Sequence, residues 1–108
     1  MASGGVKLQP AANTLTLGYT NLSSVAATMN VNFCNISDHD SSDIRIAIST
    51  AKAAAGVVAS DYVEYGQELP SHNFYQRTGF VVSPGESIYV FDLAGYSVVR
   101  IDGFEGVS

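Results

Sequence analysis

Apolar and polar residues alternate with a period of two in two stretches of this chain. In residues 25–35 every second position from 25 to 33 is apolar, and in residues 43–49 three isoleucines alternate with other residues. A period of two places alternate side chains on opposite faces of a β-strand. We therefore predict two half-buried strands whose inner faces supply the core, through the side chains of Val31, Phe33, Ile44, Ile46 and Ile48.

Five further runs are rich in residues that favour strands. They are residues 14–19, 62–65, 74–82, 87–92 and 96–104, and residues 37–42, 83–86 and 93–95 between them supply the Asp, Ser, Pro and Gly of tight turns. About seven strands joined in this way predict an all-β fold, an antiparallel β-sandwich with an Ig-like or a jelly-roll strand order. The alanine-rich segment 51–55 predicts one helical turn in a loop that crosses between the sheets.

The first thirteen residues contain Gly4, Gly5 and Pro10 and have little periodicity. We predict that residues 1–13 form an extended N-terminal arm, which becomes ordered on attachment, ahead of a single sandwich domain over residues 14–108. The alternative is that this segment is an ordinary edge strand of its own domain.

Two predicted groups of side chains would contact a partner protein. In an extended arm, Val6 and Leu8 point to the same side and, with Gln9, provide the attachment groups. In residues 87–92, Tyr89 and Phe91 share the face opposite the aliphatic residues of that strand. We predict that a partner covers these aromatic rings, and the alternative is that they stack on sugar rings.

The amino-acid composition indicates which classes of partner to expect. Apolar residues make up 46% of the chain and charged residues only 14%, which predicts a surface partly covered by other subunits, most simply in a homo-oligomer such as a trimer. Ten acidic residues outnumber five basic ones and give a net charge of −5, so nucleic acid is not an expected partner.

The cysteine content and the N-terminal sequence suit assembly in a reducing cytoplasm. Cys34 is the only cysteine, which excludes an intrachain disulfide, and we expect it to behave as a small apolar group. There is no apolar run of secretory or membrane-spanning length, so neither secretion nor a membrane partner is expected. Two Asn-X-Ser sequences, at Asn21 and Asn35, match glycosylation sites but carry little weight without a secretory signal.

Motifs that carry chemistry are missing from the sequence. It contains no phosphate-binding glycine loop, no nucleophile elbow and no cysteine pair, which predicts a non-enzymatic protein without catalytic residues or a cofactor. Asp38, His39, Asp40 and Asp43 could hold a metal ion, but they lack the glycine and distal glutamate of a calcium loop, and an acidic solvated turn is preferred. His72 is interpreted as a loop histidine.

Several short motifs follow one another in a fixed order after the predicted arm. They are Val31-Asn32-Phe33-Cys34-Asn35, Ile44-Arg45-Ile46-Ala47-Ile48-Ser49, Tyr62-Val63-Glu64-Tyr65, Leu69-Pro70, Arg77-Thr78-Gly79, and a closing block formed by residues 82–90 and 98–105. In this order they resemble small virion structural proteins of tailed bacteriophages, described as capsid decoration, cement or fibre-associated proteins. The segment at residues 1–13 has no counterpart in that resemblance.

The resemblance implies a structural role and transfers no active-site residue. It predicts a capsid decoration or cement protein, assembled in the host cytoplasm and located in the virion on the capsid surface, with the major capsid protein as its partner. The alternative is a tail- or fibre-associated module, in the neck, the baseplate or an adhesin that binds host glycans.

Overall fold

The computed structural model describes residues 3–105, which form an all-β, sandwich-like domain of eight strands. The strands are β1 (Ser3–Leu8), β2 (Thr16–Thr20), β3 (Ala27–Asn35), β4 (Ser42–Ser49), β5 (Tyr62–Leu69), β6 (Phe74–Val82), β7 (Ser87–Asp92) and β8 (Ser97–Glu105). Two antiparallel four-stranded sheets pack together, the first in the order β1-β8-β3-β6 and the second in the order β2-β7-β4-β5. The prediction of an all-β fold is confirmed.

The predicted core lies between these sheets. Val31 and Phe33 of β3 and Ile44 and Ile46 of β4 are completely buried, whereas Ile48 is half-buried and packs against the same cluster. The other buried members of the cluster are Ala27, Met29, Leu69, Phe80, Val82, Ile88, Val90, Val99 and Ile101. Alternation along β3 and β4 therefore assigned the inner faces of both sheets correctly.

The eighth strand, β1, lies inside the predicted N-terminal arm. It pairs with β8 along its whole length, with Val6 opposite Ile101 and Leu8 opposite Val99. Val6 and Leu8 point to the same side, as predicted, but that side is the core of their own domain. In the structure this segment is therefore an edge strand of its own domain, which is the alternative interpretation. The reason is that Val6 and Leu8, two residues apart, face the core beside the apolar strand β8. Residues 1, 2 and 106–108 lie outside the described residues.

The alanine-rich segment joins β4 to β5, which are neighbours in the second sheet. The loop that contains this segment has two short 3-10 turns, Ala54–Gly56 and Ala59–Asp61, the first of which overlaps the predicted helical turn. The prediction that this loop crosses between the sheets is wrong. The loop instead lies over the outer face of the second sheet, where the carbonyl of Ala51 accepts a 2.8 Å hydrogen bond from the hydroxyl of Tyr89. No helix within residues 3–105 has the length and apolar character needed to cross a membrane.

Two buried asparagines tie loops to the sandwich. The Nδ2 of Asn21 donates to the carbonyls of Val25 and Val82, both at 2.8 Å, and its Oδ1 accepts from the backbone N–H of Ser23. Asn35 repeats the arrangement, because its Nδ2 donates to two carbonyls at 3.0 Å and its Oδ1 accepts from a backbone N–H two residues later. Both amides are fully buried and hydrogen-bonded, so each satisfies loop carbonyls that would otherwise be costly to bury.

Candidate functional site

The outer face of the second sheet carries an arginine held between two aromatic rings. The Cζ atom of Arg45 lies 4.1 Å from the ring centroid of Tyr65 and 4.4 Å from that of Phe91. The three residues come from the adjacent strands β5, β4 and β7, and both rings belong to residues directly opposite Arg45. Contacts with two aromatic rings restrict the orientation of a guanidinium. We call Arg45, Tyr65 and Phe91 the Arg45 stack.

Two irregularities in edge strand β5 place its tyrosines beside Arg45. The register with β4 shifts twice, which leaves Gly66 and Val63 as extra residues. Gly66 has a φ of 74°, a left-handed conformation that suits glycine at a bulge. In a regular strand Tyr62 and Tyr65 would face opposite sides, but the bulge at Val63 puts both on the outer face. Their rings meet edge to face, with centroids 5.0 Å apart.

The charge of Arg45 is not neutralised within the described chain. Arg77 pairs with Glu64 at 2.7 Å and Arg100 pairs with Asp102 at 3.3 Å, whereas the ion pairs of residues 3–105 do not include Arg45. Its Nε is buried without a hydrogen-bond partner, and the residue is half-buried. Nε is the one nitrogen of this guanidinium that is buried without a partner, so a ligand can reach the group at the terminal Nη1 and Nη2 atoms.

Two exposed carboxylates lie one step along the same surface. Asp43 is two residues before Arg45 in β4, which puts both on the outer face, and Glu68 of β5 is directly opposite Asp43. Neither is within ion-pair distance of Arg45. The surface therefore offers donors, an exposed ring and carboxylate acceptors side by side, the groups that a polyhydroxylated ligand requires.

The five residues predicted to contact a partner are not brought together. Val6 and Leu8 face the core, and Gln9 donates to the carbonyl of Gly95 at 3.4 Å. Tyr89 and Phe91 face outward, as predicted, but only 1% and 5% of their surface is exposed, because the chain's own Ala51 loop and Arg45 cover them. Burial leaves little of these two rings for a partner, so the expectation is corrected for both.

The acidic residues considered as metal ligands are dispersed. Asp38 contacts His72 at 3.2 Å on the surface, and Asp40 accepts from the hydroxyl of Tyr96 at 3.4 Å, while Asp43 lies in β4. Within residues 3–105 no group of three or more His, Cys, Asp or Glu side chains is arranged to hold a metal ion. His72 lies in the turn between β5 and β6, as interpreted from the sequence.

The outer face of the first sheet is the second exposed surface with apolar character. Phe74, Cys34 and Val98 are aligned directly across β6, β3 and β8, and Phe74 is 70% exposed. Val81, farther along β6, is 65% exposed. Cys34 is exposed rather than part of the core.

A polar bridge links the two sheets along one open side. Glu64 of β5 accepts hydrogen bonds on Oε2 from the hydroxyl of Tyr75 and from Nη1 of Arg77, both in β6 and both at 2.7 Å. These strands are edges of different sheets and are joined by the turn of residues 70–73, so the bridge adds a side-chain link between the two sheets to that connection. Burial, together with the hydrogen bond to Glu64, raises the pKa of the Tyr75 phenol above its ordinary value.

We expect this bridge to make stability fall at alkaline pH. A raised pKa means that the folded protein retains the Tyr75 proton more tightly than the unfolded chain, so its contribution is complete below about pH 10 and is lost as pH rises through the raised value. The Tyr75→Phe variant should lose less stability than the parent between neutral pH and pH values just above about 10. Urea midpoints of both proteins at the two pH values measure this, and equal losses would contradict it.

Comparisons with protein-family models, with curated proteins and with solved structures find no match for this chain. What the chain does is therefore inferred from its own strand order, surfaces and charges.

The sequence interpretation missed Arg45, Tyr62 and Tyr65 as site residues. Alternation alone places Arg45 on the outer face but cannot show that β5 carries two bulges beside it. The one available signal is Gly66, because an isolated glycine inside a strand pattern indicates a bulge.

Proposed function

We propose that this chain is a virion structural protein, a capsid decoration or cement protein that binds the major capsid protein at the capsid surface. The observation that carries the proposal is the strand order. Strands β1, β2, β3 and β4 pair antiparallel with β8, β7, β6 and β5 respectively. We interpret this pairing as one long hairpin rolled into two sheets, the arrangement of a jelly-roll, because an Ig-like order pairs the first two strands with each other. Jelly-roll domains are typical of viral capsid proteins and of lectins.

The surface that best suits attachment is the outer face of the first sheet. Its exposed apolar side chains, Phe74, Val81 and Val98, lie on β6 and β8, both of which pair with the central strand β3. Large apolar side chains on a rigid sheet are favourable centres for a protein interface. On a shell with many equivalent positions, repeated copies or a trimer of this chain would convert weak individual contacts into stable binding.

The proposal predicts a high copy number in purified virions. Quantitative mass spectrometry should find this chain in amounts comparable to the major capsid protein. The double variant Phe74→Ser, Val81→Ser should fold normally, because both side chains are exposed, yet its incorporation should fall at least tenfold. Leu22→Ser is the matched control, since Leu22 is 88% exposed but lies outside this face.

Either of two results would count against the capsid assignment. A few copies per particle would place the chain in the tail, neck or fibre instead. Normal incorporation of the double variant would show that another surface makes the contact.

A second candidate function is a tail- or fibre-associated module that binds a host glycan. The Arg45 stack favours it, because Tyr65 is 63% exposed beside a cation that has no ion-pair partner among the described residues. Exposed aromatic rings next to hydrogen-bonding groups suit sugar rings, which have both apolar and polar faces.

A further inference from the structure

The Arg45 guanidinium is preorganised for an oxyanion. An arginine fork recognises a carboxylate through two parallel N–H···O bonds in its own plane. The Tyr65 and Phe91 rings lie within 4.1 and 4.4 Å of the Arg45 Cζ and restrict where the guanidinium can move, and only its Nε is buried without a partner, so an incoming group approaches at Nη1 and Nη2. Because the described carboxylates leave these two atoms free, a ligand carboxylate has no internal competitor to displace.

The tyrosines of β5 add a platform for the body of the ligand. Tyr65 is 63% exposed, and its position is fixed by Arg45 on one side and by the edge contact with Tyr62 on another. Little conformational entropy is lost when a ligand packs on a ring that is already fixed. The apolar C–H face of a pyranose is a suitable partner for such a ring.

The neighbouring carboxylates restrict the charge of the ligand. Asp43 and Glu68 can accept hydrogen bonds from hydroxyl groups, but they repel further negative charge. The chain's net charge of −5 acts in the same direction, so a ligand with many closely spaced negative charges is disfavoured relative to a short one with few. A ligand with one carboxylate per ring and several hydroxyls satisfies this surface better than an acidic peptide or a nucleic acid.

We propose that the Arg45 stack binds an acidic saccharide of the uronic-acid class. The sugar carboxylate pairs with the Nη atoms of Arg45, the ring packs beside Tyr65, and the hydroxyls donate to Asp43 and Glu68. This inference deepens the second candidate function and rests on it, and it is independent of whether the chain occupies the capsid.

The test uses the full chain and three probes, of which the first two are a matched pair. A short oligogalacturonate should bind, as followed by calorimetry and by NMR shift changes at the Arg45 stack. Its methyl ester, which has the same sugar ring without the charge, should bind at least tenfold more weakly. A poly-glutamate peptide supplies carboxylates without sugar rings and should bind no better than the ester.

Three variants locate the site. Arg45→Lys keeps the charge but loses the planar fork and should weaken oligogalacturonate binding at least tenfold. Arg100→Lys, on the outer face of the other sheet, is the matched control and should bind like the parent. Tyr65→Ala removes the exposed platform and should also weaken binding, and the 63% exposure of that ring makes correct folding the expected result.

The remaining outcomes each contradict a specific part of the inference. Equal binding of the acid and its ester would reject carboxylate recognition but leave a glycan-binding module in place. Tight binding of poly-glutamate would replace the saccharide by an acidic protein segment. If neither saccharide binds, the inference and the glycan-binding function both fail, whereas the virion copy number separately decides the capsid assignment.

Discussion

Replacing Ile46 with aspartate is expected to abolish the folded, soluble protein. Ile46 is completely buried between the two sheets, on a strand paired on both sides. An aspartate there loses the apolar contacts and buries a charge without a partner, which costs several kcal/mol or more. Because a domain of this size has a total stability of roughly 5–15 kcal/mol, we expect most of the variant to be unfolded or aggregated.

The control for this variant is Val81→Asp. It makes a similar change in β6, an edge strand of the other sheet, at a side chain that is 65% exposed, and its thermal midpoint should stay close to that of the parent. Circular dichroism and solubility of the two variants, measured side by side, check the assignment of inner and outer faces. A near-normal midpoint for Ile46→Asp would show that the assignment is inverted.

Deleting residues 2–9 is expected to destabilise the domain substantially. The deletion removes β1, so β8 loses its partner on that side and the contacts of Val6 and Leu8 with the core disappear. Losing two partly buried aliphatic side chains together with the strand pairing should cost roughly 2–4 kcal/mol. Urea unfolding measures this loss.

A full-length variant separates packing from chain length in this test. Val6→Ser with Leu8→Ser keeps the backbone pairing but loses the apolar contacts, and it should be intermediate between the parent and the deletion. Lys7→Ala, at an exposed position of the same strand, should be neutral. Unchanged stability of the deleted protein would instead support the N-terminal segment as a detachable arm.

Strands with regular alternation or a dense apolar sequence were predictable from the sequence. The bounds predicted for β6 and β7, residues 74–82 and 87–92, agree with the structure. The prediction for β5 stopped at Tyr65, yet the strand continues to Leu69. The predicted strand ends too early because Gly66 interrupts the apolar pattern, although in the structure this glycine forms a bulge within the strand.

Features that depend on contacts between distant residues were not predictable in the same way. The pattern at residues 3–8 is too short to distinguish an arm from an edge strand, and only its pairing with β8, far away in sequence, decides between them. The Arg45 stack likewise requires three strands in one register and a bulge that turns Tyr65 outward. The two-residue period of a single strand specifies neither its pairing register with other strands nor the position of a bulge.

The buried amides of Asn21 and Asn35 set a condition on how the protein can be produced. Both begin Asn-X-Ser sequences, which a eukaryotic oligosaccharyltransferase recognises in secreted chains. A glycan attached to either Nδ2 during translocation would have to leave the interior, and it would separate the loop from the carbonyls that the amide now binds. Material made in a secretory host would therefore carry its modification at the two positions where folding tolerates it least, whereas bacterial cytoplasmic expression leaves both amides free.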